Sequence, residues 1–391
     1  MIYLDNNATT PVDPVVFAAM TPYLTWAFGN ASSSGHLAGE RAADAVAHAR
    51  SQVAALFRVQ TSEVIWTSGA TESNNLVLLG LCRATEKRKV HILTVATEHS
   101  SVLSPCAALA NQKNVEVTVL PVDKNGMLSG DVLRQTIRPT TLLLSIMSAN
   151  NEIGTLQPIE EIAAICKAKG VFLHVDAAQS AGKIPLRLDH IPIDFVSISG
   201  HKMNGPQGIG ALIIRRRRNP LPLQPILWGG TQERGIRPGT LAVPNIVGMG
   251  QAAEIALHIC ADEAQRVSHL RDRLWNTLST SLPEIYLNGH PTLRLPNNLS
   301  VVFRYVDAEA LRLMVSDLAL STGSACRSAS NAPSHVLKAI GLSDSDARST
   351  IRFGLGRFTS QQDVDLASAQ LISAVQKLRA RHPEYAGVEK K

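Results

Sequence analysis

The sequence is poor in aromatic residues, has few cysteines and contains no long hydrophobic run. Aromatic residues make up 4% of the 391 residues, so Ala, Val, Ile and Leu must form most of the core. The five cysteines are scattered without a CxxC pair, which argues against a disulfide framework and against a structural zinc site. No run approaches the roughly 18 apolar residues of a membrane span, and the N-terminus lacks the apolar segment of a secretory signal. We therefore expect a cytoplasmic protein with reduced thiols and no membrane partner.

Length and composition are typical of a globular chain large enough for two or three domains. Hydrophobic residues make up 45% and charged residues 18% of the sequence, a balance that excludes a disordered protein. The net charge of +6 is too small to indicate a nucleic-acid partner. The basic run Arg215–Arg218 has no interleaved aromatic residues, and we expect a solvated turn there.

Short apolar runs rich in β-branched residues alternate with helical patterns between about residues 40 and 215. Such alternation predicts an α/β fold with a mainly parallel sheet, which binds ligands outside the carboxyl ends of its strands. The predicted strands are 63–67, 90–96, 115–120, 142–147, 171–175, 195–199 and 211–214. The predicted helices are 39–57, one opening at Thr71, 102–112, 130–137 and 159–169.

The C-terminal part of the sequence has a different pattern. A long helix over about 246–282 precedes strands at 299–303 and 350–353 and helices at 308–317 and 361–381, which predicts a smaller α+β domain. We place the large domain at 13–255. The small domain takes 1–12 and 256–391 and carries a polar loop at about 321–333.

Polar motifs follow several of the predicted strands. Lys202 lies in a glycine-rich turn after strand 195–199, where Ser199 and His201 can bind a phosphate, so it is a candidate Schiff-base lysine. Asp176 follows strand 171–175, where we expect it half buried. The Asp176 carboxylate suits the ring nitrogen of pyridoxal 5′-phosphate (PLP). Gln179 could reach the phenolic oxygen of the same cofactor. The structural alternatives are a solvated side chain for Lys202 and an Asx turn or helix N-cap for Asp176.

Further motifs point to the same edge of the sheet. The segment Ser68–Asn75 predicts a strand, a glycine turn and a helix whose first N–H groups bind a phosphate, although N-capping by Thr71 would also explain it. His99 and the segment Asn150–Glu152 each follow another strand; His99 could stack on a planar cofactor. It is this convergence that predicts a PLP site.

Two motifs lie in the C-terminal part. Cys326 occupies a small, polar segment next to Arg327, which favours a thiolate, whereas the other cysteines fall in helical patterns and are predicted to pack. Arg352 lies in a short strand and could bind a substrate carboxylate through two hydrogen bonds. Of the two nearby arginines, we expect Arg357 to be structural.

Taken together, these motifs resemble those of the cysteine desulfurases in the class V aminotransferase family, which have fold type I of the PLP enzymes. The resemblance runs from Tyr3 to Arg357, and five motifs occur in the family's order. They are Gly69-Ala70-Thr71-Glu72, Glu98-His99, His174-Val175-Asp176, Ser199-Gly200-His201-Lys202 and the cysteine loop. The loop is similar to that of the IscS/NifS group, and other segments resemble the DndA branch, which supplies sulfur for DNA phosphorothioation.

The resemblance implies a role for each matching residue. Lys202 would bind PLP covalently and act as a base, His99 would stack on the ring and transfer protons, and Cys326 would become a persulfide. The implied contacts to PLP come from Ala70, Thr71, Asn151, Asp176, Gln179, Ser199 and His201. Asn151 and Arg352 would bind the substrate. Thr240 would reach the phosphate bound by the other subunit, which implies a homodimer.

The implied reaction converts L-cysteine to L-alanine and passes the sulfur to an acceptor protein. The acceptor could serve iron–sulfur cluster assembly, tRNA thiolation or DNA phosphorothioation, and direct binding of nucleic acid is not expected. Two alternatives stay open: another class V lyase or aminotransferase, and a non-catalytic assembly scaffold. We predict no metal site in the protein alone.

Overall fold

The computed structural model describes residues 1–85, 88–215, 223–322 and 333–385. The strands are β1 (Ile2–Tyr3), β2 (Val64–Thr67), β3 (Val90–Val95), β4 (Val115–Leu120), β5 (Thr141–Met147), β6 (Phe172–Asp176), β7 (Phe195–Ser199), β8 (Gly210–Ile214), β9 (Ile285–Leu287), β10 (Asn298–Phe303), β11 (Leu318–Ala319) and β12 (Thr350–Gly354). The helices are α1 (Pro14–Leu24), α2 (Leu37–Phe57), α3 (Ala70–Ala84), α4 (Ser100–Leu109), α5 (Gly130–Thr136), α6 (Ile159–Lys169), α7 (Val243–Ser281), α8 (Ala308–Met314), α9 (His335–Ala339), α10 (Asp344–Arg348) and α11 (Gln361–Arg379).

Seven strands form the main sheet, in the order β2-β8-β7-β6-β5-β3-β4. Every neighbouring pair is parallel except the two that involve β8, which runs antiparallel to β2 and β7. The strands that precede the predicted site motifs therefore all end at one edge. Apolar clusters pack on both faces of the sheet, as its continuous apolar strands predict. The expected mainly parallel α/β fold is confirmed.

A second core lies beside the C-terminal half of α7. Strands β12, β10 and β9 form an antiparallel sheet, and their apolar residues pack with α7, α11 and Leu4. Strand β1 pairs with β11, so the first residues of the chain also lie against this part. Helix α7 contributes its first half to the main core and its second half to this one. The domain division at residue 255 stays a prediction.

Two local features differ from the sequence-based prediction: a helix that it omits and an arginine that is not solvated. Helix α1 is missing from the sequence-based prediction because Pro14 and Pro22 obscure the helical pattern; Asp13 caps its start by accepting a hydrogen bond from the Val15 N–H. Arg215 is not solvated, because its guanidinium pairs with Glu63 and its side chain is 10% exposed. The rest of the basic run, from residue 216 to 218, lies outside the described residues. No helix in the described ranges has both the length and the apolar character needed to cross a membrane.

Candidate active site

The carboxyl ends of the main-sheet strands enclose a cavity of about 530 Å³. Of the predicted site residues, those that line it are Ala70, Thr71, His99, Asn151, Asp176, Gln179, Ser199, His201, Lys202 and Arg352. Thr240 does not line it; this residue is exposed on the loop before α7. Cys326 lies outside the described residues. Residues at or after the ends of five main-sheet strands (β2, β3, β5, β6 and β7) and one residue of β12 thus line one cavity.

Lys202 ends a short 3-10 helix that directly follows β7. Its Nζ donates hydrogen bonds to the backbone oxygens of Asn7 and Ala8, both at 2.6 Å. Gln179 holds the same segment, because its Nε2 donates to the Asn7 oxygen over 2.9 Å. The amine is therefore fixed at the wall of the cavity by neutral acceptors, with no carboxylate among these bonds to hold its proton.

Asp176 ends β6 and is buried, not half buried as expected. The burial is compensated by hydrogen bonds: Asn74 Nδ2 donates to Oδ2 over 2.7 Å, and the Ala178 N–H donates to Oδ1 over 2.9 Å. The second bond is the Asx turn that was the structural alternative, and a contact of Asp176 with the PLP ring nitrogen stays a prediction. A carboxylate oriented in this way can pair with a cationic ring nitrogen in the cavity.

The start of α3, where we expect an anion to bind, differs from the prediction in its N-cap residue. Gly69, not Thr71, is the N-cap, and it has no side-chain capping bond, so Thr71 lies within the first turn. A Cβ on Gly210 would come within 2.6 Å of the Gly69 Cα, so only glycine lets β8 approach this turn. N–H groups at a helix start favour a phosphate, and Ser199 and His201 line the same cavity.

Arg352, from β12, supplies a buried cation to the same cavity. Its Nη2 lies 2.8 Å from Asp5 Oδ1, and its Nη1 donates to the Asn151 oxygen over 3.0 Å. Its Nε has no hydrogen-bond partner in the described part of the chain. The side chain is 3% exposed. A guanidinium held in this way retains a donor for a carboxylate.

His99 is the N-cap of α4. Its Nδ1 accepts a hydrogen bond from the Ser101 N–H over 3.1 Å. Burial lowers the pKa of His99; the Asp176 carboxylate opposes this, while Lys202 and His335 lower the pKa further. The imidazole is therefore a neutral ring at the cavity wall.

Several lining residues were missed from the sequence, and three of them come from segments remote from the predicted strands. Asn7 and Ala8 come from the first turn of the chain, and His335 comes from the start of α9, where its Nε2 donates to the Glu98 oxygen over 2.9 Å. None of these residues follows a predicted strand. The motif Tyr3–Pro11 was the one available signal for the first two, and nothing in the sequence pattern singled out His335.

The cysteines that the structure describes are suited to packing. Cys82, Cys106 and Cys166 are buried in helices, and Cys260 is partly buried in α7. Burial raises the pKa of Cys82 to about 11 and, with smaller contributions from Glu98 and Cys82, that of Cys106 to about 12. Neither thiol forms a thiolate near neutral pH.

The sequence and fold match those of known proteins. The family profile described as aminotransferase class V matches residues 2–366. The chain belongs to the class V aminotransferase family. It is 47% identical to the cysteine desulfurase IscS of Rickettsia typhi, over 98% of this chain and 93% of that protein. The resemblance inferred from the motifs is thereby confirmed at the level of the family.

Solved structures agree with this assignment. A NifS-like protein superposes with a TM-score of 0.89 at 35% identity, covering 96% of this chain and 99% of that one. DndA from Streptomyces lividans has a TM-score of 0.77 at 40% identity, covering 89% and 98%.

Enzymes of this family use PLP, and the residues of the cavity fit it. An amine, a buried carboxylate and a helix start without a side-chain cap are what its aldehyde, ring nitrogen and phosphate require. Lys202, Asp176 and the Gly69–Thr71 turn would hold these three groups.

Proposed function

We propose that this protein is a PLP-dependent L-cysteine desulfurase that leaves the substrate sulfur on Cys326. The observation that carries the proposal is the arrangement of charge in the cavity. An anion site at the start of α3 and the Arg352 guanidinium lie in the same cavity as the Lys202 amine. A small amino acid bound through its carboxylate at Arg352 can thus have its α carbon near the amine.

PLP supplies an electron sink for the charge that develops when a bond at the substrate's α carbon breaks. Lys202 accepts the α proton at Nζ, because its amine is positioned by the Asn7 and Ala8 oxygens. Asp176 keeps a negative charge against the ring nitrogen, and His99 covers a face of the ring. A role for His99 in moving protons stays a prediction.

Sulfur transfer needs a thiol that can reach the cavity, and we assign this role to Cys326. The Arg352 N–H donates to the Ser321 oxygen over 2.7 Å, and Ser334 lines the cavity, so the described chain on both sides of 323–332 lies at the site. An S–S bond forms at Cys326 as the substrate's C–S bond breaks, and that bond's electron pair leaves with carbon. Protonation completes alanine, so L-cysteine and a thiol give L-alanine and a persulfide without an oxidant.

A homodimer is the proposed assembly. Several large apolar side chains are exposed on and after α1, including Phe17 at 59%, Trp26 at 73% and Phe28 at 68%, and Trp228 is 79% exposed. Exposed apolar groups of this size indicate an interface. Thr240 lies outside the cavity of its own chain, which supports its assignment to the partner's phosphate. The cytoplasmic location and the choice among iron–sulfur assembly, tRNA thiolation and DNA phosphorothioation stay predictions.

Product analysis with L-cysteine and a reductant tests the proposal. We expect equimolar alanine and sulfide from the wild type, and loss of both from Cys326→Ser with PLP still bound. Cys260→Ser is the matched control and should keep the activity, because that thiol is partly buried in α7.

Two results would contradict the proposal. Unchanged release by Cys326→Ser would remove the thiol from the mechanism and favour a lyase without a persulfide. No product from a wild-type protein with bound PLP would mean that L-cysteine is not the substrate.

A further inference from the structure

A chain of hydrogen bonds connects Asp176 to His99 through two buried side chains. Asn74 Nδ2 donates to Asp176 Oδ2 over 2.7 Å and to Ser101 Oγ over 2.9 Å. Ser101 Oγ lies 2.8 Å from His99 Nδ1. Asn74 is 0% and Ser101 7% exposed, so water does not compete with these bonds.

The chemistry of the groups determines the direction of each bond. The Asp176 carboxylate accepts, so Asn74 must turn its NH₂ group toward it, and the second amide proton goes to Ser101 Oγ. The single Ser101 hydroxyl proton is then directed at His99 Nδ1. The Ser101 N–H donates to the same nitrogen over 3.1 Å. His99 Nδ1 therefore accepts two hydrogen bonds and has no room for a proton.

We propose that Asn74 and Ser101 are positioning residues that hold His99 as a neutral imidazole whose proton is on Nε2. In this state His99 donates a hydrogen bond from the side of the ring opposite Nδ1. It cannot act as an imidazolium acid unless both bonds to Nδ1 break. The part that His99 plays in the reaction rests on the proposed function, but its tautomer does not.

The electrostatic surroundings agree with a neutral ring. His99 caps the start of α4, where the helix dipole disfavours a positive charge. Burial lowers its pKa, the Asp176 carboxylate opposes this, and Lys202 and His335 add to the lowering. Simple N-capping explains the bond from the Ser101 N–H. It does not explain why a buried amide links the ring to the Asp176 carboxylate.

Nitrogen-15 NMR of histidine-labelled holoenzyme tests the tautomer directly, with the His99 signals assigned by their loss in His99→Gln. We expect the Nε2–H tautomer and a titration midpoint for His99 below 6.5, the ordinary histidine pKa. A proton on Nδ1, or an imidazolium at neutral pH, would overturn the proposal.

Variants of Ser101 and Asn74 test whether the chain of hydrogen bonds determines the tautomer of His99. Ser101→Ala should raise the titration midpoint of His99 by about one pH unit, because one of the two donors to Nδ1 is removed. Ser101→Thr should keep the wild-type midpoint, since it retains the hydroxyl. Ser104→Ala is the control, because this serine is exposed on the same helix. A wild-type midpoint in Ser101→Ala would exclude a positioning role for this hydroxyl.

Asn74→Leu removes both amide bonds at similar volume and should raise the midpoint as well. Its thermal unfolding is measured alongside, and Ser101→Ala alone decides the question if Asn74→Leu does not fold. Alanine and sulfide release is recorded separately. A protein that shows the Nε2–H tautomer of His99 without desulfurase activity would overturn only the proposed function. An active enzyme with a proton on His99 Nδ1 would overturn only the positioning role of Asn74 and Ser101.

Discussion

Lys202 lies in the wall between two cavities. Each cavity is lined by a lysine and an arginine, but these charged groups have different partners in the two cavities. The front cavity is the site of about 530 Å³ described above, with Lys202 and Arg352. The rear cavity has about 30 Å³ and is lined by a lysine and an arginine of its own, Lys183 and Arg357. The comparison distinguishes charged groups that can bind a ligand from charged groups that are paired within the protein.

The two arginines differ in their partners. Arg357 donates to Asp13 Oδ2 and to Glu263 Oε2, both at 2.9 Å, so two carboxylates neutralise it. This confirms the structural role expected for Arg357. Arg352 pairs with one carboxylate, Asp5, and its Nε is unpaired among the described residues. Arg352 is therefore paired with fewer carboxylates than Arg357, which is consistent with the proposed role of Arg352 in binding the substrate carboxylate.

The two lysines differ in how their amines are bound. Lys202 Nζ donates to two backbone oxygens, whereas Lys183 Nζ is buried without a hydrogen-bond partner in the described part of the chain. Part of the Lys183 stem is exposed, but its amine is not. Burial, with smaller contributions from Lys202 and Arg352 and against the opposing effect of Glu263, lowers the pKa of Lys183 to about 7. The rear cavity has room for about one water molecule.

The largest effect on stability is expected from Lys183→Met. Between pH 7 and 10.5 the unfolded chain binds a proton at Lys183 that the folded chain does not, so the free energy of unfolding rises with pH. The shift from 10.5 to about 7 corresponds to roughly 5 kcal/mol. In the variant, the free energy of unfolding should not show this rise between pH 7 and 10.5, and it should be higher than that of the wild type at pH 7. Denaturant unfolding across this pH range measures both effects.

Lys113→Met is the matched control for this prediction. Lys113 is exposed in the loop before β4, so the variant should follow the wild-type curve. A Lys183→Met curve with the full wild-type slope would show that the amine has a partner in solution and would remove the contrast between the two lysines.

Replacing each of the two arginines with lysine should have smaller effects than Lys183→Met. Arg352→Lys keeps the charge but loses the planar pair of donors, so KM for L-cysteine should rise about 10- to 100-fold. Arg357→Lys should leave KM unchanged and lower the free energy of unfolding by about 1–3 kcal/mol, since two carboxylates lose hydrogen bonds. Steady-state kinetics and denaturant unfolding measure both quantities. An equal rise in KM for both variants would mean that the front cavity does not hold the substrate carboxylate.

The sequence predicts those parts of the site that follow a strand. Continuous apolar strands lie at nearly the predicted bounds, and the polar residues after them reach one edge because parallel strands end together. Lys202, Asp176 and His99 could therefore be named in advance. Their partners could not, because Asn7 and His335 come from segments without a periodic pattern, nearly at opposite ends of the chain.

Burial of polar groups was also not predictable from pattern. Asp176 can be buried because Asn74, from α3, donates a hydrogen bond to its carboxylate, and Arg215 can be buried because its guanidinium pairs with Glu63. Such pairs are formed by tertiary contacts between distant segments. The same reason explains why the unpartnered amine of Lys183 gave no signal in the sequence.

The most direct test of the account is to locate the lysine that holds PLP. Borohydride links the bound cofactor irreversibly to its amine, and mass spectrometry of the digested protein then identifies the modified residue. We predict modification of Lys202 in the wild type and in Lys183→Met, and none in Lys202→Ala. Modification of Lys183, or of any other lysine with Lys202 free, would contradict the assignment of the front cavity as the active site.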